Sequence, residues 1–161
     1  MSFLTYVAGL TAVLGSALVG GVFFAFSSFV MKALARVPSA EGIAAMQSIN
    51  VVVINPSFLS AFIGMAILSV GAAAFALGDP GKLSSMLLLG GAVSYFAGTF
   101  LVTILANVPL NDQLAAISVG DPDAVRIWTT YLDQWTSWNT VRTVAAIVAS
   151  VLFTISLLQH H

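Results

Sequence analysis

Four stretches of the chain are almost uninterrupted by charge: residues 3–30, 56–77, 83–106 and 138–158. Each is close to the roughly 20 apolar residues that a helix needs to cross the hydrocarbon core of a bilayer. All six acidic residues, Glu41, Asp79, Asp112, Asp121, Asp123 and Asp133, fall outside them. Backbone in lipid must satisfy its own hydrogen bonds, so each stretch is predicted as a helix. The expected fold class is all-α: one integral membrane domain over residues 1–161, an antiparallel four-helix bundle. Short helical segments are expected in the two long connections, at about 40–54 and 122–137. The Asp79-Pro80-Gly81 turn makes the second and third spans antiparallel neighbours. An even number of spans puts both termini on one side and both long connections on the other.

Local signals refine these boundaries. Ser39 is the expected N-cap of the first connecting helix, and Asn55 followed by Pro56 is a start signal for the second span. Asp121 and Pro122 are expected as N-cap and first helical residue of the last segment. Pro109 lacks an N–H and clashes with the preceding turn, so the third span is expected to end or kink there. Small residues recur every four positions: Ala8, Ala12, Ser16 and Gly20; Gly90, Ser94 and Gly98; Ala145 and Ala149. This spacing lets helix backbones approach closely in lipid and reads as packing seams. Gln47 and Asn50, three apart, share a face of the first connecting helix.

Composition agrees with a membrane class. The chain is 59% hydrophobic and 7% charged, with a mean hydropathy of +1.02, whereas a soluble domain carries about a quarter charged residues. The first apolar stretch has no basic residue before it and outruns a signal-peptide core, so it is expected to be a retained span. There is no cysteine, which removes disulfides, thiolate nucleophiles and iron–sulfur ligation. A net charge of −1 argues against a nucleic-acid partner. The partners expected are the lipid bilayer and an apolar or aromatic small molecule. Lys32 and Arg36 after the first span place the long connections in the cytoplasm by the positive-inside rule. His160 and His161 resemble the stub of a purification tag and are left out of the reading.

One charge breaks the pattern. Arg142 is the only charged residue within the four apolar stretches, at a cost of roughly 2.5–3.5 kcal/mol on insertion scales, and an intramembrane ionisable residue is by default a functional-site hypothesis. If the segment from Pro122 runs unbroken into the last span, Trp128, Tyr131, Trp135, Trp138 and Arg142 follow at spacings of 3, 4, 3 and 4, one continuous helix face. Asn139 lies beside it. Two readings of the aromatics stand: a ligand slot, or a belt at the membrane interface. An arginine near a helix end can also snorkel outward. Asn107-Val108-Pro109-Leu110-Asn111, at the end of the third span, is the second half of the constellation. The Asn107 side chain and the carbonyls freed by Pro109 need partners, and Arg142 has five donors to offer; alternatively, Asn107 simply caps the third span.

The Asn107-Val108-Pro109-Leu110-Asn111 block, followed by Trp135-Thr136-Ser137-Trp138-Asn139-Thr140-Val141-Arg142-Thr143, resembles the four-helix membrane proteins of the anthrone oxygenase family. The likeness extends to Gly20-Gly21-Val22-Phe23-Phe24, to Met46-Gln47-Ser48-Ile49-Asn50 and to Asn55-Pro56. The family often has His where this chain has Thr140, so a histidine base is not carried over. The resemblance implies a membrane oxygenase turning an anthrone into an anthraquinone with dioxygen, or a relative that has lost or changed that activity. An electron-rich enolate can itself pass an electron to dioxygen, so no cofactor is expected. The site implied has Arg142, Asn139 and Asn107 as catalytic groups around an oxyanion. Trp128, Tyr131, Trp135, Trp138, Asn111, Gln47 and Asn50 would bind the substrate. No side chain offers itself as the base. With no His, Cys or carboxylate in the spans, no metal or haem site is expected, nor the embedded carboxylate of a proton-coupled exporter. The competing reading is a non-catalytic membrane module that binds a lipid, quinone or aromatic ligand or supports a partner complex.

Overall fold

The structure is a computed structural model that describes residues 2–118 and 121–159; His160 and His161 lie outside the described residues. Five helices account for nearly all of it: α1 (Phe3–Leu34), α2 (Ser39–Val52), α3 (Pro56–Ala76), α4 (Leu83–Ala115) and α5 (Ala124–Leu158). Helices α1, α3, α4 and α5 are long and apolar enough to cross a membrane. Helix α5 packs along α1 and α4, and α3 closes the bundle against the same two helices. Many large apolar side chains point outward, among them Leu14, Leu18, Ile67, Phe75, Leu105 and Val151. Water would penalise such a surface; lipid does not.

The helix ends follow local chemistry, with two shifts. Asn55 caps α3 as expected, its Oδ1 accepting from Phe58 N at 3.0 Å, with Pro56 at the first position. Ser39, however, is already inside α2. The extended Pro38 precedes it, and the Pro38 carbonyl accepts from Glu41 N and Gly42 N. Helix α5 likewise begins later than Asp121 and Pro122 foretold. Asp121 Oδ1 accepts from Asp123 N at 2.8 Å and its carbonyl accepts from Ala124 N, a local side-chain turn that holds back the helix until Ala124. From there α5 runs unbroken for 35 residues, about 50 Å. That exceeds a hydrocarbon core of about 30 Å, so part of α5 must extend beyond it.

Pro109 does not end α4, which continues to Ala115. Two stretches before it, Ser94–Leu101 and Thr103–Asn107, are wound in wide i→i+5 turns, as is Phe26–Val30 in α1. A widened turn just ahead of a proline gives its ring room and accommodates the missing donor.

Two apolar cores lie end to end. One, within the bundle, gathers Val19, Phe23, Phe62, Met65, Tyr95 and Phe153. The other, at the connection end, gathers Met31, Met46, Leu114, Trp128, Tyr131 and Trp135 beneath α2. The wide turns Phe26–Val30 and Thr103–Asn107 fall between the two cores, and Ser94–Leu101 lies within the first, contributing Tyr95, Phe96 and Phe100.

Candidate functional site

The inward face of α5 consists of Trp128, Tyr131, Trp135, Asn139, Arg142, Ala146, Ala149 and Phe153, all buried. Their spacing averages close to 3.6, the period of a straight helix. The expected stripe with a 3.5 repeat put Trp138 in this series, but Trp138 is 46% exposed. Ten residues after Trp128 it has turned about 80° short of three full revolutions, and Asn139 takes the inward place.

At the connection end, Asn111 Oδ1 accepts from both Tyr131 Oη at 2.9 Å and Trp135 Nε1 at 2.8 Å. One amide oxygen thereby satisfies two aromatic donors that burial would otherwise strand. The rings of Trp128, Tyr131 and Trp135 stack in sequence, centroids 5.6 and 6.2 Å apart. A cavity of about 110 Å³ opens beside Tyr131 against Leu110, Leu114 and Ile127. Gln47 stands apart from this stack in role. Its Nε2 donates to the carbonyls of Leu114 at 2.8 Å and Ile117 at 3.2 Å, tying α2 to the last turn of α4 and the segment just after it. Asn50 keeps a buried Nδ2 without a partner.

One step deeper lies Arg142, 4% exposed. It neither faces lipid nor snorkels. Its Nη2 donates to Asn139 Oδ1 at 2.7 Å and its Nη1 to Thr103 Oγ1 at 3.2 Å. The guanidinium carbon lies 4.1 Å from the centroid of Phe23 and 5.1 Å from that of Trp135, cation–π contacts that partly replace lost hydration. Among the described residues the ion pairs are Lys82 with Asp79 and Arg126 with Asp123, both exposed; Arg142 has no carboxylate partner. Of the five N–H donors of a guanidinium, the two hydrogen bonds leave three free, and Nε is buried with none.

The expected bond between Arg142 and Asn107 is not made. Asn107 Nδ2 donates instead to the Trp135 carbonyl at 3.2 Å, and its Oδ1 is buried without a partner. Thr103, one turn earlier on α4, has the place nearer the cation.

The wide turns explain how this arrangement is held. Ser94, Thr99 and Asn107 donate to the carbonyls of Ala145, Arg142 and Trp135 on α5, at 3.0, 3.2 and 3.2 Å. Ser94 and Thr99, five apart, would point in different directions from an α-helix; a wide turn returns both to the same side. On the opposite wall Asn139 Nδ2 donates to the Phe23 carbonyl at 2.7 Å and to Ser27 Oγ at 2.6 Å. Ser27 belongs to the wide turn of α1 and also bonds Thr140 Oγ1 at 3.0 Å. The site therefore includes Phe23, which the sequence marked only within the block at residues 20–24, and Ser27, Thr99 and Thr103, which it did not mark as site residues. For Thr99 and Thr103 the visible signal is hydroxyls at 94, 99 and 103 leading to Asn107 in an otherwise apolar span.

The structure thus gathers Arg142, Asn139, Trp135 and Asn107 at one point, stacks Tyr131 and Trp128 behind them through Asn111, and leaves Trp138 outside. Among the described residues no group of three or more His, Cys, Asp or Glu side chains comes together. The chemistry on offer is a fixed cation with unused donors, walled by aromatic rings and neutral amides. The family model described as anthrone oxygenase matches residues 55–152, which hold α3, α4 and most of α5. No curated protein and no solved structure matches the chain.

Proposed function

Because the chain belongs to the anthrone oxygenase family, we propose that it is a cofactor-independent membrane oxygenase acting on an aromatic, polyketide-like apolar substrate. The observation that carries this reading is Arg142: a nearly fully buried guanidinium with three unused donors and no carboxylate in contact. A buried cation without a counter-ion is costly unless something negative joins it. An enolate supplies that charge only as the reaction proceeds, the condition under which a preorganised donor accelerates chemistry.

The reaction balances without a further reagent. The anthrone C–H is lost as a proton to solvent hydroxide, with no side chain of the site as base, leaving an enolate whose oxygen lies against the free Nη hydrogens of Arg142. The enolate passes one electron to dioxygen, and the carbon radical and superoxide join to form a C–O bond. Protonation gives a hydroperoxide. Loss of the remaining hydrogen on that carbon as a proton, with O–O cleavage, yields the second carbonyl and one water. Phe23 and Trp135 flank the guanidinium with aromatic rings, and wide turns of α1 and α4, a winding frequent at functional sites, run beside it.

Oxygen uptake by the purified protein tests this reading with a panel of anthrones and hydroquinones. Wild type is expected to consume one dioxygen per quinone formed, and Arg142→Ala, still folded, to lose at least a hundredfold in rate. Uptake by none of the panel, together with ligand binding that survives in Arg142→Ala, would leave a binding module as the reading.

A further inference from the structure

Two complementary atoms lie unused at the junction of the two cores. Arg142 Nε is a donor without an acceptor, and Asn107 Oδ1 is an acceptor without a donor. Both side chains are more than nine-tenths buried, where native structures rarely leave polar atoms unpaired. They also share a neighbour. Asn107 Nδ2 is tied to the Trp135 carbonyl at 3.2 Å, and the guanidinium carbon sits 5.1 Å from the centroid of the Trp135 ring. Thr103, four residues before Asn107 on the same helix, accepts from Nη1 of the same guanidinium. The two orphans are not hydrogen-bonded to each other.

We propose that Arg142 Nε and Asn107 Oδ1 form an oxygen subsite for an O–H group, holding a water molecule at rest and the terminal O–H of the substrate hydroperoxide during turnover. An oxygen that accepts from Nε and donates to Oδ1 satisfies both atoms at once. A bare oxyanion satisfies only the first and faces the lone pairs of the Asn107 carbonyl. The two edges of the guanidinium therefore divide the work: the free Nη hydrogens face the enolate oxygen, and Nε faces the oxygen that departs.

This inference rests on the oxygenase reading and assigns the subsite to its last step. When the C–H electron pair becomes the new C=O bond and the O–O bond breaks, negative charge gathers on the terminal oxygen. Donation from Nε stabilises that charge, Asn107 orients the hydrogen already on the oxygen, and the proton given up by the carbon passes to that same oxygen, releasing water. Asn107 in this account touches the reacting O–H, whereas its amide nitrogen, bonded to the Trp135 carbonyl, holds it in position.

A preformed secondary benzylic hydroperoxide, given to the purified protein without anthrone, tests the subsite directly. Wild type is expected to speed its conversion to ketone at least tenfold over protein-free detergent, and Asn107→Ala to lose that acceleration. Should Asn107→Ala fail to fold, Asn107→Ser serves in its place, since the serine is too short to reach the same oxygen. Oxygen uptake with an anthrone, without acceleration of the hydroperoxide by wild type, overturns the subsite and leaves the oxygenase reading standing. Acceleration that depends on Asn107, without oxygen uptake from any anthrone, supports the subsite and removes that reading. Acceleration retained in both variants also overturns it.

Discussion

The guanidinium of Arg142 is held by two neutral oxygens and two aromatic faces, and each holder can be removed singly. Thr103→Val takes away the acceptor of Nη1 while keeping the shape of the side chain. The buried donor left unpaired is expected to lower stability by about 1–3 kcal/mol and oxygen uptake by about tenfold; Thr103→Ser should restore both, read by thermal melting and an oxygen electrode. Arg142→Lys keeps the charge but loses the planar fork that reaches Asn139 and Thr103 together. Its rate is expected to fall toward that of Arg142→Ala. Arg142 and Asn139 were legible in the sequence because a charge and an amide are rare in an apolar run, and Trp128 and Trp135 through their helical spacing from Arg142, whereas Trp138 was misplaced on that face. Thr99, Thr103 and Ser27 were not legible, since a hydroxyl in a membrane helix ordinarily bonds back to its own backbone, as Thr103 also does to the Thr99 carbonyl. What gives Thr103 its second role is the wide turn, and no local pattern announced that.

Helix α4 is where element-level expectations were most altered. Proline at position 109 was readable as a disturbance, but its form depends on α5: carbonyls of Ala145, Arg142 and Trp135 receive the side chains that the wide turns redirect. Gly98 lets the two helices meet there, because a Cβ on it would come within 2.5 Å of Ala145 Cβ. That neighbour is fixed to the backbone, so Gly98→Ala must push the helices apart. The expected cost is about 1–3 kcal/mol of overpacking, seen as a lower melting temperature, with a larger loss of activity because Thr99 and Thr103 move with the helix. The expected four-residue stripe through Gly90, Ser94 and Gly98 anticipated a seam, whereas the change of winding within it comes from tertiary partners. Gln47, expected to meet substrate, joins α2 to the end of α4 instead. Gln47→Ala is expected to destabilise the protein by about 1 kcal/mol, without changing KM for substrate in proportion.

At the scale of the whole molecule, two cores stacked end to end leave a polar junction that neither could bury alone, and the cation stands in it. The all-helical class and its four apolar spans were legible because length and hydrophobicity set them. Most of the 35-residue extent of α5 was legible too, as a helical segment at about 122–137 adjoining the span from 138; the sequence left open only whether the two join, and they do, with α2 covering the aromatic face of the first part. The orientation inferred from Lys32 and Arg36 makes its own prediction, and the absence of cysteine permits single reporters. Arg36→Cys should label with a membrane-impermeant maleimide only from the cytoplasmic side, and Lys82→Cys only from the opposite side; the reverse pattern would invert the topology. If Arg142 is a fixed cation awaiting an oxyanion, it governs the ionisation of a bound phenol. A hydroxyanthraquinone, already oxidised and so inert, reports its own charge by absorbance as pH is varied. A facing cation favours the phenolate and lowers the bound phenol's pKa, while burial without that cation raises it. For wild type the bound pKa is expected at least one unit below the value in detergent alone, and for Arg142→Gln above it. A phenol that binds wild type with its pKa unchanged or raised would show that Arg142 does not face the ligand as a cation.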